Sequence, residues 1–268
     1  MKREVFAVAG CDRNAVERVS RIEDVEPRTS AQDLRQDDSL ESLFLSTLPA
    51  SADDFARSRF AEGQRTLDLL QRHFPALFRQ GRPRFLDLGS GNGGMLFPFA
   101  GSTRGLAVDT YVDADLRRFG RASGLAIDHV LASAPALPLR AASVDVVLMA
   151  EVLEHLAEPR SAAYEVTRIL RPGGVCLIST PPRLKFMAKR DPHFGIPFLV
   201  ALPDRLQRSA ARATGRDRCY VHHIYATTFG IHRLFPPGAC TMHVISHRQG
   251  WTKHLSWNYI AFQKRDAL

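Results

Sequence analysis

Hydrophobic and polar positions change period several times along the chain, and each change marks an element. From residue 53 onward Phe60, Leu67, Leu70, Phe74 and Leu77 recur at a rough 3.6-residue spacing. That pattern predicts an amphipathic helix, which Asp53 or Asp54 can cap. Short apolar runs then alternate with helical patterns: a strand over 84–88, a helix over 93–100, a strand over 105–108, a helix near 113–123 and a strand over 127–131. Residues 144–149 (VDVVLM) form the near-continuous apolar run of a strand buried on both faces. A helix over 159–170 is stopped by Arg171-Pro172-Gly173-Gly174, and 175–179 is a fifth strand. Strands separated by helices of this length imply right-handed crossovers and a parallel sheet. The ending differs, because 242–247 and 257–263 read as two strands joined by a short loop, the mark of an antiparallel pair. The fold class is therefore α/β, with a mostly parallel sheet, helices on both faces and an antiparallel final strand pair.

Residues 1–52 are charged and weakly patterned, and are expected to form a partly flexible N-terminal extension, with a helix able to start at Ser39 from Leu40, Leu43 and Phe44. The main domain is expected over 53–268, with an insertion at about 182–235 that is basic, punctuated by proline and rich in histidine. The composition, 45% hydrophobic and 24% charged, excludes collagen-like, coiled-coil and wholly disordered chains. No apolar stretch reaches the roughly 18 residues of a spanning helix. Cys11, Cys176, Cys219 and Cys240 are scattered and make no CxxC pair, so neither a disulfide framework nor a zinc knuckle is expected. A cytoplasmic location is the expectation. The charge is divided unevenly: residues 183–268 hold 14 Lys and Arg against 4 Asp and Glu, whereas 1–182 hold 22 against 24. An asymmetry of this kind suits a surface that meets an anion.

The strongest local signal is Phe85-Leu86-Asp87-Leu88-Gly89-Ser90-Gly91-Asn92-Gly93-Gly94. Glycines at a strand-to-helix turn let the backbone approach a ligand and leave amide N–H groups aimed at it. They fit GxGxG and GxGxxG alike and do not choose a cofactor. Asp87 discriminates: a carboxylate two residues before the first glycine would repel a pyrophosphate but suits an ammonium or sulfonium charge. Asp109 follows 22 residues later at the end of the next strand, placed to accept hydrogen bonds from the two hydroxyls of a ribose.

Together FLDLGSGNGG, the LAVD ending at Asp109, SVDVVLMAEVLEHL (143–156) and ILRPGGVCLISTP (169–181) resemble the class I S-adenosylmethionine-dependent methyltransferases, and most nearly the small-molecule branch that includes ubiquinone-biosynthesis methyltransferases. The resemblance covers about residues 56–182. It implies a Rossmann-like seven-stranded sheet and S-adenosyl-L-methionine as cofactor, with Asp87, Gly89, Ser90 and Gly91 on its methionine part and Asp109 on its ribose. One position departs from the pattern. Where many relatives have Gly-Asp-Ala, this chain has Ala132-Ser133-Ala134, so Ser133 and the Ala134 N–H are left to meet the adenine, without a charged acceptor. A scaffold that binds the cofactor without catalysis is the reading this departure keeps open.

Glu151, Glu154 and His155 follow the fourth strand, at the edge where open α/β folds bind ligands. Glu151 is expected to line the cofactor pocket. With His193 these residues could make a metal site of two carboxylates and two imidazoles, but the same EVLEHL motif shapes the pocket of metal-free relatives, and no metal is expected. A base for O-methylation is expected among His193, His223 and His155, in that order. In the insertion Arg205, Arg208 and Arg212 share one face of a helix ended by Gly215, with Leu206, Ala210 and Ala213 on the other. In this class the segment after strand five commonly forms a lid over the substrate. Cations beside Phe186, Met187 and Phe198 suit an acceptor with an anionic group (a small molecule, lipid or glycan), with peripheral contact at the inner face of the membrane. RNA is the alternative, since basic charge serves phosphodiesters equally well.

Overall fold

The computed structural model describes Ser42, Phe44, Leu45 and residues 53–79, 81–111, 116–117, 127–187, 195–215, 224–246, 250–255 and 258–266. Its first long element is α1 (Asp53–His73). The sheet strands are β1 (Arg84–Leu88), β2 (Arg104–Asp109), β3 (Asp128–Leu131), β4 (Val144–Ala150), β5 (Leu170–Ser179), β6 (Cys240–Ile245) and β7 (Tyr259–Lys264), and α2 (Pro159–Ile169) leads into β5. They form one seven-stranded sheet in the order β3-β2-β1-β4-β5-β7-β6. The first five strands pair in parallel, and β7 runs antiparallel to both β5 and β6. The α/β sheet with an antiparallel final pair read from the sequence is the one observed.

Period-two alternation places the core on both faces, as a central parallel sheet requires. Leu86, Leu88, Val147, Met149, Cys176, Ile178, Ile260 and Phe262 face one layer with Ala162, Ala163, Val166 and Ile169 of α2. Phe85, Val146, Leu148, Val175, Leu177 and Ala261 face the other, with Phe60, Leu70 and Phe74 of α1. Phe44 is fully buried there, its ring 4.9 Å from that of Phe97 and 5.8 Å from that of Phe60. At the N-terminal ends of the strands, Asp145 is buried and accepts from the Arg84 backbone N–H at 2.7 Å and from Arg171 Nε at 2.5 Å, which ties β1, β4 and the start of β5 together.

Three local expectations are corrected. Residues 93–100 form turns and a 3-10 turn at Phe97–Phe99 in place of a helix. Gly93 sits at φ +83°, paired glycines are poor helix formers, and Pro98 lacks the N–H a regular helix would use. Strand β5 starts at Leu170, not at 175, because Arg171–Gly174 bulges between the pairs Val144↔Leu170 and Val146↔Val175. After β5 the chain forms the short helix α3 (Arg183–Phe186), a 3-10 turn at Leu199–Ala201, and α4 (Asp204–Ala213). The third correction concerns α4, where Gln207 and Ala210 pack inward, while Leu206 and Ala213 are exposed. Gln207 Nε2 donates to Leu202 O at 2.7 Å, which fixes the helix rotation. A final short helix, α5 (Thr228–His232), precedes β6. No described helix is long and apolar enough to cross a membrane.

Candidate functional site

The C-terminal tips of β1, β2, β3 and β4 meet at one edge, and the glycine turn closes it. Gly89 and Ser90 both donate their backbone N–H to Val108 O, at 2.7 and 3.2 Å. Asp109 Oδ2 accepts from the Gly91 N–H at 3.0 Å, so the acid at the end of β2 holds the turn at the end of β1. Gly89 has φ +80°, and a Cβ there would lie 2.4 Å from Val152 Cγ2; only glycine fits. Gly91 also has positive φ, but its nearest neighbour on that side is the Tyr111 hydroxyl at 4.0 Å, so the turn is open toward ligand. The Ala132 N–H donates to Asp109 O at 3.0 Å, which brings Ser133 and Ala134 beside the same acid. Ser133 is bridged to Ala136, and Ala134 is buried.

Electrostatically the edge is acidic, and its deepest carboxyls are buried. Asp87 is 1% exposed, and its Oδ2 has no hydrogen-bond partner among the described residues. Burial pushes its carboxyl up to about 7; the Arg59 charge opposes this and the Asp109 charge adds to it. Glu151 stands at the tip of β4 with φ +57°, a conformation costly for a residue with a Cβ. It is held by its N–H to Ser179 O at 2.9 Å and by the Ser179 hydroxyl donating to Oε1, also at 2.9 Å. Its carboxyl too is pushed up to about 7, by burial first and then by the neighbouring Glu154, against the Ser179 bond. Glu154 is itself buried, on the 3-10 turn Leu153–His155. A buried carboxylate is costly unless protonated or paired. A cationic ligand above the glycine turn would supply the partner, and this is how the residues fit a cofactor bearing ammonium and sulfonium charges.

Several contributors were not legible in the sequence. Arg59 of α1 reaches Ala150 O at 3.5 Å and Glu62 at 3.5 Å. The Tyr259 hydroxyl donates to Glu62 Oε1 at 3.0 Å and shares a hydrogen bond with Thr66 Oγ1 at 2.9 Å, locking α1 to β7 beside the site. In sequence Arg59 looks like any cation on an amphipathic helix. Ser179 could have been found from its place at the end of strand five, where ligands bind in such folds. Among the expected bases, His155 is exposed on its turn, while His193 and His223 lie outside the described residues. No group of three or more His, Cys, Asp or Glu side chains among the described residues is arranged to hold a metal.

Residues 86–178 match the model of a methyltransferase domain family. Over 55 residues the chain is 53% identical to a probable S-adenosylmethionine-dependent methyltransferase of Mycolicibacterium smegmatis, a match covering 20% of this chain and 21% of that protein. Over 118 residues it is 36% identical to the ubiquinone biosynthesis O-methyltransferase of Parvibaculum lavamentivorans, covering 40% of this chain and 46% of that one. The chain thus spans between a fifth and a half of the length of these curated relatives. In fold it is similar to the 1,6-didemethyltoxoflavin-N1-methyltransferase of Burkholderia thailandensis, whose structure holds S-adenosylhomocysteine: TM-score 0.50 at 17% identity, covering 90% of this chain and 93% of that one. A Pyrococcus horikoshii protein gives 0.54 at 18% identity, covering 74% and 87%.

Proposed function

From a chain that carries a methyltransferase domain, we propose an S-adenosylmethionine-dependent methyltransferase that O-methylates a small-molecule, lipid or glycan acceptor bearing an anionic group. The observation that carries the cofactor is the buried Asp87 Oδ2, without a hydrogen-bond partner among the described residues, beneath a glycine turn closed by Asp109. S-adenosylmethionine, when bound, supplies a methyl group already activated by its sulfonium charge. The protein therefore need not activate the donor. Asp87 and Glu151 would offset its positive charge, Arg59 would answer its carboxylate, and Gly89, Ser90 and Gly91 would lie along its methionine part. Asp109 would accept from the ribose hydroxyls, and Ser133 and Ala134 would meet the adenine.

What remains for the chain is to position the acceptor and take its proton. His193, His223 and His155 are the proposed bases. Alanine at the true base lowers turnover by about 10²–10⁴. The segment at about 182–235 is the proposed lid of a main domain over 53–268. Its supports are the charge of the last third and the exposed Leu184, Met187, Phe198, Leu202 and Leu206 on the same segment as Arg183, Lys185 and Arg212. Such a surface suits an amphiphile with an anionic head, met in the cytoplasm at the face of a membrane. The test is incubation of the purified protein with labelled methyl donor and a fractionated cell extract. Label is expected in the acidic small-molecule or lipid fraction; label confined to RNA overturns the acceptor reading.

A further inference from the structure

A second recess lies on the same edge of the sheet as the glycine turn, at the β7 side of β5. The pairs Ile178↔Ile260 and Ile245↔Tyr259 put the β6–β7 connection at the end where β5 delivers Ser179 to Glu151. The start of α5 reaches the same edge, because the Arg183 N–H donates to Tyr225 O at 3.0 Å. Between these two segments an open cleft of about 400 Å³ is lined by Phe229, Trp251, Lys253, His254 and Leu255. That is within the ordinary range of small-molecule sites.

The lining is aromatic and exposed. The rings of Phe229 and His254 stack at 4.5 Å and 20°. His254 is anchored from behind, its Nδ1 2.6 Å from the hydroxyl of the fully buried Thr228. Burial first, and then the Lys253 charge, lower the His254 pKa, which favours the uncharged imidazole. Helix α5 buries Thr228 and Ile231, while its Phe229 remains 51% exposed and Trp251 across the cleft 72% exposed. Large aromatic faces held open to water are characteristic of sites that stack a ligand. Lys253 contributes one positive charge, and among the described residues no carboxylate lines the cleft.

We infer that this cleft holds the ring of the acceptor, a flat aromatic compound carrying a carboxylate or similar acid, with the ring against the outer face of the Phe229–His254 stack and against Trp251, and the acid group at Lys253. The inference rests on the methyl-transfer reading for the word acceptor, and on the cleft alone for the chemistry of the ligand. The experiment is calorimetry on the full chain with three probes of similar size: 2-naphthoate, its saturated analogue decahydro-2-naphthoate, and the uncharged 2-naphthalenemethanol. Binding of 2-naphthoate is expected to be about tenfold tighter than either control. Phe229→Leu and Trp251→Leu should each weaken it by about tenfold, and Lys253→Gln should remove the preference for the acid. Equal binding of the flat and saturated acids overturns the proposal, as does 2-naphthoate binding unchanged in both aromatic variants. Both aromatics are largely exposed, and unchanged melting temperatures will show that the variants fold. Failure of the proposed activity reads out separately, as absence of S-adenosylhomocysteine binding to the unmodified protein in the same instrument.

Discussion

At the tips of β1, β2 and β4, Asp87, Glu151 and Glu154 are buried or nearly so around a turn whose backbone is held by Val108 O and Asp109. Beyond the tip of β5 the same edge carries the reverse: Arg183, Lys185 and Arg212, with Phe198, Leu206, Phe229 and Trp251 standing in solvent. The first region is acidic, buried and sterically exact. The second is basic, aromatic and open. A buried acidic pocket tolerates one charge distribution and suits a ligand that never changes. An open basic surface gains affinity through stacking and screened charge, and tolerates ligands of more than one shape. Substitutions in the first region should therefore act through packing and desolvation, and those in the second through exposed apolar contact and screened charge.

The turn gives the sharpest contrast. Gly89→Ala meets both a left-handed backbone, at about 1–2 kcal/mol, and a 2.4 Å approach to Val152, at about 1–3 kcal/mol. Gly91→Ala meets only the backbone cost, since its nearest neighbour on that side is 4.0 Å away. Urea unfolding of both variants measures the difference, and equal losses would show that the turn yields. Next in size is Asp109→Ala. It removes the acceptor of the Gly91 N–H and the proposed ribose contact, with an expected loss of about 1.5–3 kcal/mol in S-adenosylhomocysteine affinity by calorimetry. An unchanged affinity would remove Asp109 from the site.

How much of this was legible before any coordinates differs between the same two regions. The strands, their antiparallel ending and the acid-glycine-acid constellation follow from periodicities of two and 3.6 and from glycines that must sit at positive φ. The inward face of α4 did not, because its anchor is a polar residue: Gln207 is buried through a bond to Leu202 O, while Leu206 turns outward. Arg59 was missed because a cation on an amphipathic helix reads as a solvated face. The aromatic cleft was missed because Phe229 and Trp251 are 22 positions apart and meet only through the topology of β6 and β7.

The acidic region should also carry a pH signature, opposite in sign to that of His254, whose lowered pKa makes stability rise with pH. Folding raises Asp87 and Glu151 from the ordinary carboxylate range to about 7. Between those limits the native chain binds more protons than the unfolded one, so stability falls as pH rises through that window and is level above it. A cationic ligand favours the ionised forms. Its affinity should then rise with pH up to about 7, by about tenfold per pH unit for each proton displaced. Asp87→Asn should flatten the dependence of melting temperature on pH between 5 and 7. A variant that keeps the full slope would assign the titration elsewhere.

The smallest effects belong to α4. Its helical spacing puts Arg205, Arg208 and Arg212 along one face, and Arg212 is exposed. An exposed charge meeting an anion is worth about 0.2–1 kcal/mol, and salt near 1 M screens it within about 3 Å. Each single Arg→Gln variant should therefore weaken co-sedimentation with vesicles of phosphatidylglycerol and phosphatidylcholine by less than about fivefold. The difference should vanish in high salt, while S-adenosylhomocysteine affinity and melting temperature stay put. Leu206 offers the complementary probe, since it stands 53% exposed on the same helix. Leu206→Ser should weaken the same binding in a way that salt does not erase, because apolar insertion is not screened. Arginine variants that bind vesicles normally at low salt would detach the basic face from anion recognition. If Leu206→Ser alone mattered, the lid would meet its ligand through apolar contact, and the charge of the last third would serve another purpose.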